Sequence, residues 1–343
     1  MLSTKTLTIY LFTACGLLLL SVSHSPNDTQ SLFPDPIYIQ DSSVRINEMI
    51  SLGQMLFYDP ILSQDSTISC ASCHSPYQAF AHTDHALSHG IHDNIGKRNA
   101  PALFNLAWQK QFMWDGAIHH LEVQALAPIN NPDEMGENTR NVIHKIISSG
   151  RYQKPFTLAF GSDTITGERL LKALTSFELS LVSVTSTYDL VQKGKAVFSS
   201  QQSAGYRIYK RHCRHCHPEP LFFKNEFMSN GLIPDSTLRD SGRYQVTGKE
   251  SDLYQFKIPS LRNLSYTYPY MHDGRFRNLQ QVIRHYSDEE KNPIQLPNEL
   301  RRKMALTAME KTDLIAFLLC LNDSSFLFNP KHQFPRHLFN KKE

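Results

Sequence analysis

The chain reads Cys70-Ala71-Ser72-Cys73-His74 and, much later, Cys213-Arg214-His215-Cys216-His217. Cys-x-x-Cys-His is the attachment signal of c-type haem: the cysteines form thioethers to the haem vinyl groups, and the histidine binds the iron. A four-cysteine zinc site or two disulfides would not require a histidine directly after each pair. The repeated pentad therefore predicts two covalent c-type haems, attached through Cys70, Cys73, His74, Cys213, Cys216 and His217.

The N-terminus resembles an export signal. Lys5 provides a positive charge, Leu7 to Leu20 is mostly apolar, and Ser21-Val22-Ser23 offers small residues for cleavage. We expect residues 1–23 to be a signal peptide, and an uncleaved membrane anchor is the alternative, although the apolar stretch is short for a span. Export to the periplasm agrees with c-type haem attachment, which takes place outside the bacterial cytoplasm.

The length of the chain and the spacing of its apolar residues indicate how the part after the N-terminal segment is organised. A chain of 343 residues suggests about two domains, and a net charge of +3 is too small to suggest a nucleic-acid partner. No convincing strand alternation is present, whereas apolar spacing and N-cap residues predict helices. These helices are 44–57, one capped by Thr166, one after the Ser199 and Gln202 pair, one from Leu279 to Tyr286, and one after the Thr307 and Glu310 pair. The region from Asp189 to Gly194 is expected to link the domains.

Further motifs accompany the pentads in a fixed order. They are Cys70–His74, Arg98-Asn99-Ala100-Pro101, Trp114-Asp115-Gly116, Gln124, Glu134-Met135-Gly136, Cys213–His217, Pro259-Ser260-Leu261-Arg262-Asn263 and Pro269-Tyr270-Met271-His272-Asp273-Gly274. Over roughly residues 44 to 321, the chain resembles the bacterial di-haem cytochrome c peroxidase family, which includes MauG-like proteins. The resemblance implies an all-α fold of two cytochrome c-like haem domains: a peroxidatic domain at residues 24–188 and an electron-transfer domain at residues 189–343.

The resemblance also implies three catalytic residues. Glu134 occupies the family's acidic position, ten residues after Gln124. A carboxylate above the open haem face can move a proton between the two oxygens of hydrogen peroxide, and an amide can orient the substrate. Trp114 corresponds to a tryptophan between the two haems that assists electron transfer. The alternatives are that Glu134 belongs to an ordinary acidic turn and that Trp114 is a packing residue.

The distal iron ligands are less determined by the sequence. Counting back from Arg98, the family position of a distal histidine at the first haem falls on Ile91, with His89 and His92 nearby. The ligand is therefore His89, His92 or none.

At the second haem, the peroxidases proper place a methionine where this chain has Tyr286. Tyrosine there is the MauG-like choice, and an anionic phenolate would favour ferric iron. Met271 is a less favoured substitute, and packing of Tyr286 on the haem edge is the alternative.

Calcium is implied by the resemblance alone. The family binds this ion with an asparagine side chain matching Asn99 and with backbone carbonyls matching Thr267 and Pro269. Oxygen ligands of this kind suit a hard cation.

The sequence thus predicts a periplasmic di-haem peroxidase that reduces hydrogen peroxide with electrons from a small cytochrome c or a similar redox protein. One alternative is a MauG-like oxidase that modifies a protein or an organic substrate. Another is a di-haem electron carrier without enzymatic activity. The sequence leaves open whether the protein forms a homodimer.

Overall fold

The computed structural model describes residues 32–40 and 42–339. The expected signal peptide, residues 1–23, lies outside the described residues. Within them, no helix combines the length and the apolar character needed to cross a membrane.

The described chain is mostly helical. Its α-helices are α1 (Ile46–Tyr58), α2 (Cys70–Cys73), α3 (Leu126–Asn130), α4 (Thr139–Ser148), α5 (Gln153–Phe160), α6 (Gly167–Ser180), α7 (Thr187–Gln192), α8 (Ser200–His212), α9 (Tyr244–Thr247), α10 (Leu279–Ser287), α11 (Asn298–Arg301), α12 (Ala308–Leu319), α13 (Ser324–Leu327) and α14 (Arg336–Phe339). Single 3₁₀ turns occupy Pro60–Leu62, Pro76–Gln78, Ile91–Asp93, Leu106–Trp108, Leu121–Val123, Glu250–Asp252 and Pro330–His332. Strands β1 (Phe227–Met228) and β2 (Phe256–Lys257) pair antiparallel. The predicted helical fold class is confirmed, and among the described residues this two-stranded ribbon is the exception to it.

Helices α1 and α6 form the centre of the first hydrophobic cluster. Their backbones approach so closely that a Cβ atom on Gly53 would lie 1.9 Å from the Ala173 carbonyl oxygen. Leu56 and Phe177 are buried in this cluster. The cap predicted for α6 is confirmed, since the Thr166 side chain accepts a hydrogen bond from the backbone N–H of Arg169.

Helices α8 and α12 repeat this arrangement in the second hydrophobic cluster. A Cβ atom on Gly205 would lie 1.9 Å from the Asp313 carbonyl oxygen, and Phe317 and Tyr209 are buried beside the crossing. Both predicted capping boxes are present, at Ser199 of α8 and at Thr307 of α12. Helix α8 ends at His212, directly before Cys213 of the second pentad.

The segment expected to link the domains, from Asp189 to Gly194, is partly helical. Residues Thr187–Gln192 form α7, and Asp189 accepts hydrogen bonds from the fully buried guanidinium of Arg262 at 2.7 and 2.8 Å. A buried carboxylate with this bidentate partner fixes the position of the segment.

The C-terminal segment returns to the first cluster. Phe326 and Leu327 of α13 belong to the core around α1 and α6. The Tyr58 hydroxyl donates to the His332 carbonyl at 2.6 Å. Residues 324–339 therefore pack on the half of the chain that carries the first pentad.

Candidate functional site

The four pentad cysteines are free thiols. No disulfide joins any of the cysteines in the described part of the chain. Burial raises the pKa of Cys70 to about 12 and that of Cys73 to about 11, and it raises the pKa of Cys213 to about 12. Residues 32–40 and 42–339 contain no group of three or more His, Cys, Asp and Glu side chains placed to hold a metal ion.

Each pentad histidine has one ring nitrogen held by the backbone. Nδ1 of His74 lies 2.8 Å from the Phe80 carbonyl, and Nδ1 of His217 lies 2.9 Å from the Pro259 carbonyl. Burial lowers the pKa of both rings to about 4, so both are neutral near pH 7. A carbonyl bound to Nδ1–H leaves Nε2 as the metal-binding atom, the arrangement common among iron and zinc histidines. The two pentads therefore fit c-type haem.

The first cavity has a volume of about 400 Å³ and lies beside Cys73 and His74. Its lining also includes the three residues predicted from the sequence to be catalytic: Trp114, Gln124 and Glu134. Residues from α2, from the loop before α3 and from the turn after it thus meet in one space. The arrangement places an acid, an amide and an indole around the site of the first haem.

Glu134 is held in a defined position. Its Oε1 accepts a hydrogen bond from the Asn131 side-chain amide at 2.8 Å, and its backbone carbonyl accepts one from the Ile91 N–H at 2.8 Å. Burial raises the pKa of Glu134 above the ordinary glutamate range, and the Asn131 hydrogen bond opposes this effect. Asn131 was not singled out in the sequence, although it lies three residues before Glu134 in the same turn.

Gln124 is buried next to a sulfur atom. Its side-chain nitrogen lies 3.8 Å from Sδ of Met113, which also lines the first cavity. The contact orients the amide toward the same space as Glu134. The sequence did not single out Met113, because its place beside Gln124 becomes visible only in the folded chain.

The loop histidines lie elsewhere. Nδ1 of His89 is 2.6 Å from a carboxylate oxygen of Asp93, and the largely exposed His92 is 3.9 Å from Asp65. Among the described residues that line the first cavity, the one histidine is His74. The side chain at the family's ligand position, Ile91, is buried and apolar.

The second cavity has a volume of about 190 Å³ and adjoins Cys213, Cys216 and His217. Tyr286 from α10 and Met271 both line it. Burial raises the pKa of the Tyr286 phenol. Sδ of Met271 lies 3.3 Å from the Asn230 side-chain amide, and Met271 has a left-handed backbone (φ +76°) within its turn.

Two methionines in this cavity were missed in the sequence. Met228 and Met304 also line the second cavity, and Sδ of Met228 lies 3.6 Å from Sγ of Cys216. Neither belongs to a motif, so only the folded chain reveals them. Their thioether sulfurs are potential but weak ligands beside the two candidates above.

A third, middle cavity of about 110 Å³ collects the proposed calcium residues. Asn99, Thr267 and Pro269 all line it, although they are far apart in the chain. The Asn99 amide nitrogen donates to the Ala86 carbonyl at 3.1 Å, and its Oδ1 accepts no hydrogen bond from the described residues. A free amide oxygen with nearby carbonyls fits a calcium ligand set.

Trp114 connects these spaces. It is among the residues that line the first, the second and the middle cavity. The indole N–H donates to the Asn99 carbonyl at 2.8 Å, which fixes the ring. Trp114 is therefore shared by the linings of both candidate haem cavities.

Sequence comparisons agree with these observations. The profile of the family described as di-haem cytochrome c peroxidase matches residues 47–197. A protein named methylamine utilization protein MauG, from Methylophilus methylotrophus, is 34% identical over 296 residues, which cover 84% of this chain and 87% of its own. A cytochrome c551 peroxidase from Nitrosomonas europaea is 34% identical over 289 residues, which cover 80% of each chain.

A solved structure has the same fold. It is the crystal structure of a MauG-like protein associated with microbial copper homeostasis. The TM-score is 0.81 at 30% sequence identity, and the match covers 90% of this chain and 99% of that chain.

Proposed function

The chain belongs to the di-haem cytochrome c peroxidase family, and we propose that it is a periplasmic enzyme that reduces hydrogen peroxide to water with electrons from a small cytochrome c. Membership makes it an oxidoreductase of the cytochrome c peroxidase type. The observation that carries the peroxidase proposal is the convergence of Glu134, Gln124 and His74 on one cavity.

Two covalent haems and one calcium ion complete the proposed enzyme. His74 and His217 would bind the two irons through Nε2, and the four pentad cysteines would form the thioethers. Asn99, Thr267 and Pro269 would hold the calcium ion in the middle cavity. When bound, the haems supply the redox chemistry, by taking up electrons and passing them to peroxide.

The protein's own contribution is proton transfer and orientation. Cleaving H₂O₂ heterolytically requires a proton to move from the oxygen that is retained to the oxygen that leaves as water. Oε2 of Glu134 accepts no hydrogen bond from the described residues, while Asn131 holds Oε1, so Oε2 is the atom suited to carry that proton. The Gln124 amide orients the substrate, and two electrons with two protons convert each H₂O₂ into two waters.

Electrons would enter at the second cavity and leave at the first. Trp114 lines both cavities and supports a route between them, because a π-system between two redox centres shortens the gaps that electrons must cross. No histidine other than His74 lines the described part of the first cavity, which supports an open distal position there.

A turnover assay tests the proposal. Purified enzyme with both haems is mixed with H₂O₂ and reduced cytochrome c, and oxidation of the donor is followed optically. We expect two cytochromes to be oxidised per peroxide. An enzyme that consumes peroxide only with an organic or protein substrate would instead indicate the oxidase alternative, and one that does not consume peroxide would indicate an electron carrier.

A MauG-like oxidase is the second candidate, and Tyr286 favours it. This residue lines the second cavity, where a phenolate ligand would lower the haem potential. In that case the oxidised protein has no sulfur-to-iron charge-transfer band at the red edge of the visible spectrum, and Tyr286→Phe alters the second haem's spectrum. A band that survives Tyr286→Phe and disappears in Met271→Leu would assign the ligand to Met271 and exclude this candidate.

A further inference from the structure

Lys257 borders all three cavities. Lys257 is among the residues that line the first, the second and the middle cavity, as Trp114 is. The two residues are also joined, because the Lys257 backbone N–H donates to the Trp114 carbonyl at 2.7 Å. The last residue of β2 is thus placed at the junction of the two candidate haem sites.

The ammonium group of Lys257 has incomplete partners. It donates to the Gln109 side-chain oxygen at 2.5 Å and approaches the Gln111 carbonyl at 3.4 Å. A lysine ammonium has three N–H donors, and no carboxylate in the described part of the chain lies within 4.0 Å of this one. Burial lowers the pKa of Lys257 to about 8, because removing the charged ammonium from water is unfavourable when its partners are only neutral acceptors.

Two cations that line the neighbouring cavities are already paired, whereas Lys97, which also lines the first cavity, is exposed. Arg98 lines the first cavity and forms ion pairs with Asp115 and Asp240, each at 2.6 Å. Arg262 lines the middle cavity and is paired with Asp189. Among the described lysines and arginines, Lys257 is the one that lines the second cavity. A partly buried cation without a carboxylate partner, on a residue that lines the cavities that fit haem, indicates that the missing anion arrives with the cofactor.

We propose that Lys257 is the counter-cation of a haem propionate at the junction and that its charge raises the reduction potentials of both haems. Haem carries two propionate carboxylates, and a charge-assisted hydrogen bond would satisfy the third ammonium donor. A positive charge in a medium of low dielectric constant disfavours the more positive ferric state. Because Lys257 borders both haem cavities, its removal affects both centres in the same direction.

This inference rests on the haem occupancy of the proposed function and does not depend on peroxide turnover. Its test is a spectroelectrochemical titration of the purified holoprotein, after a pyridine haemochrome assay has counted the haems. Lys257→Met and Lys257→Gln remove the charge, and Lys257→Arg keeps it. Lys224→Met is the matched control, because Lys224 pairs with Glu226 at 2.8 Å and lines none of the three cavities.

We expect both midpoint potentials to fall in the methionine and glutamine variants and to stay at the wild-type values in Lys257→Arg and Lys224→Met. Unchanged potentials in the neutral variants, a fall at one haem only, or an equal fall in Lys257→Arg would overturn the proposal.

If the neutral variants fail to retain haem, loading of both haems in Lys257→Arg still supports a charge requirement. Failure of all three Lys257 variants to load would contradict it, because the site would then require the shape of lysine. A loaded wild type without peroxide turnover would refute the proposed function and leave these potentials measurable.

Discussion

Glu134 has two properties that a proton-transferring carboxylate needs. One oxygen is fixed by Asn131, and the side chain borders the same cavity as His74. Burial raises its pKa toward the pH at which the enzyme would work, which brings proton uptake and release closer in energy. Residues of this kind concentrate at functional sites.

We predict that Glu134→Gln loses most peroxide turnover while both haem spectra stay unchanged. Glutamine preserves the shape and the contact with Asn131 but cannot carry the proton. General acid–base groups contribute about 10²–10⁴-fold, so a loss of that order is expected in kcat/KM from stopped-flow traces. Glu122→Gln is the matched control, because Glu122 is exposed and lines none of the three cavities. Near-native turnover in Glu134→Gln would remove Glu134 from the mechanism.

The pH profile offers a second check on the same residue. The base must be deprotonated, so the rate is present above the pKa of Glu134 and is lost as the pH falls through it. Because burial raises that pKa, the loss should begin at a higher pH than for an ordinary glutamate, whose pKa is about 4.3. The residual rate of Glu134→Gln should lack this acid limb, and an identical limb in the variant would assign it to another group.

The sequence could predict these residues to different degrees. His74 and His217 were predictable because the haem attachment signal is local. Glu134 required the family resemblance, since an acidic turn by itself has no distinctive pattern. Lys257 was not predictable, because its importance comes from lining three cavities built by distant segments.

At the scale of elements, each of the two hydrophobic clusters contains one pair of helices that cross at close distance. Gly53 lets α1 approach α6, and Gly205 lets α8 approach α12. In both crossings the added Cβ atom would meet backbone, which cannot move aside as a side chain can. The crossings therefore set the position of the helices that lead to the haem motifs.

We predict that Gly53→Ala and Gly205→Ala each destabilise the holoprotein by roughly 1–3 kcal/mol, as expected for overpacking. The measurement is the denaturant midpoint followed at the haem absorption. Gly167→Ala is the control: this glycine opens α6, and its Cβ would meet only the end of the Thr139 side chain, at 3.0 Å. A midpoint unchanged in both crossing variants would show that the helices can separate without cost.

The elements themselves were largely predictable, because their signals are local. The capping boxes at Ser199 and Thr307 were predicted and are present. The return of α13 to the first cluster was not predictable, since the apolar Phe326 and Leu327 do not specify which core they join. The ion pair that anchors the helix at Thr187–Gln192 was not predictable, because Arg262, the partner of Asp189, is distant in sequence.

At the scale of the whole molecule, the two halves meet through polar contacts around Trp114. Arg98 bridges Asp115 of one half and Asp240 of the other. The Asn99 N–H donates to the His272 carbonyl at 2.7 Å, and the Asn99 carbonyl accepts from Trp114. These contacts hold the indole between the two candidate haem cavities.

We predict that Trp114→Phe slows electron delivery to the His74 haem more than it weakens peroxide binding. Phenylalanine fills most of the space but loses the indole and its hydrogen bond to Asn99. Stopped-flow reduction and a peroxide titration measure the two effects separately. Trp108→Phe is the control, because this second tryptophan donates to the Pro34 carbonyl and lines none of the three cavities. Unchanged transfer between the haems in Trp114→Phe would assign this indole to packing.

Two covalent haems in one chain underlie every role proposed for this protein, so the haem count is the most direct test. The protein is expressed with the c-type maturation machinery, and its intact mass is measured under denaturing conditions beside a pyridine haemochrome assay. We predict a mass increase of two haems, one of which is lost in Cys70→Ala/Cys73→Ala and the other in Cys213→Ala/Cys216→Ala. A wild-type chain that carries one covalent haem, or none, would contradict the di-haem assignment.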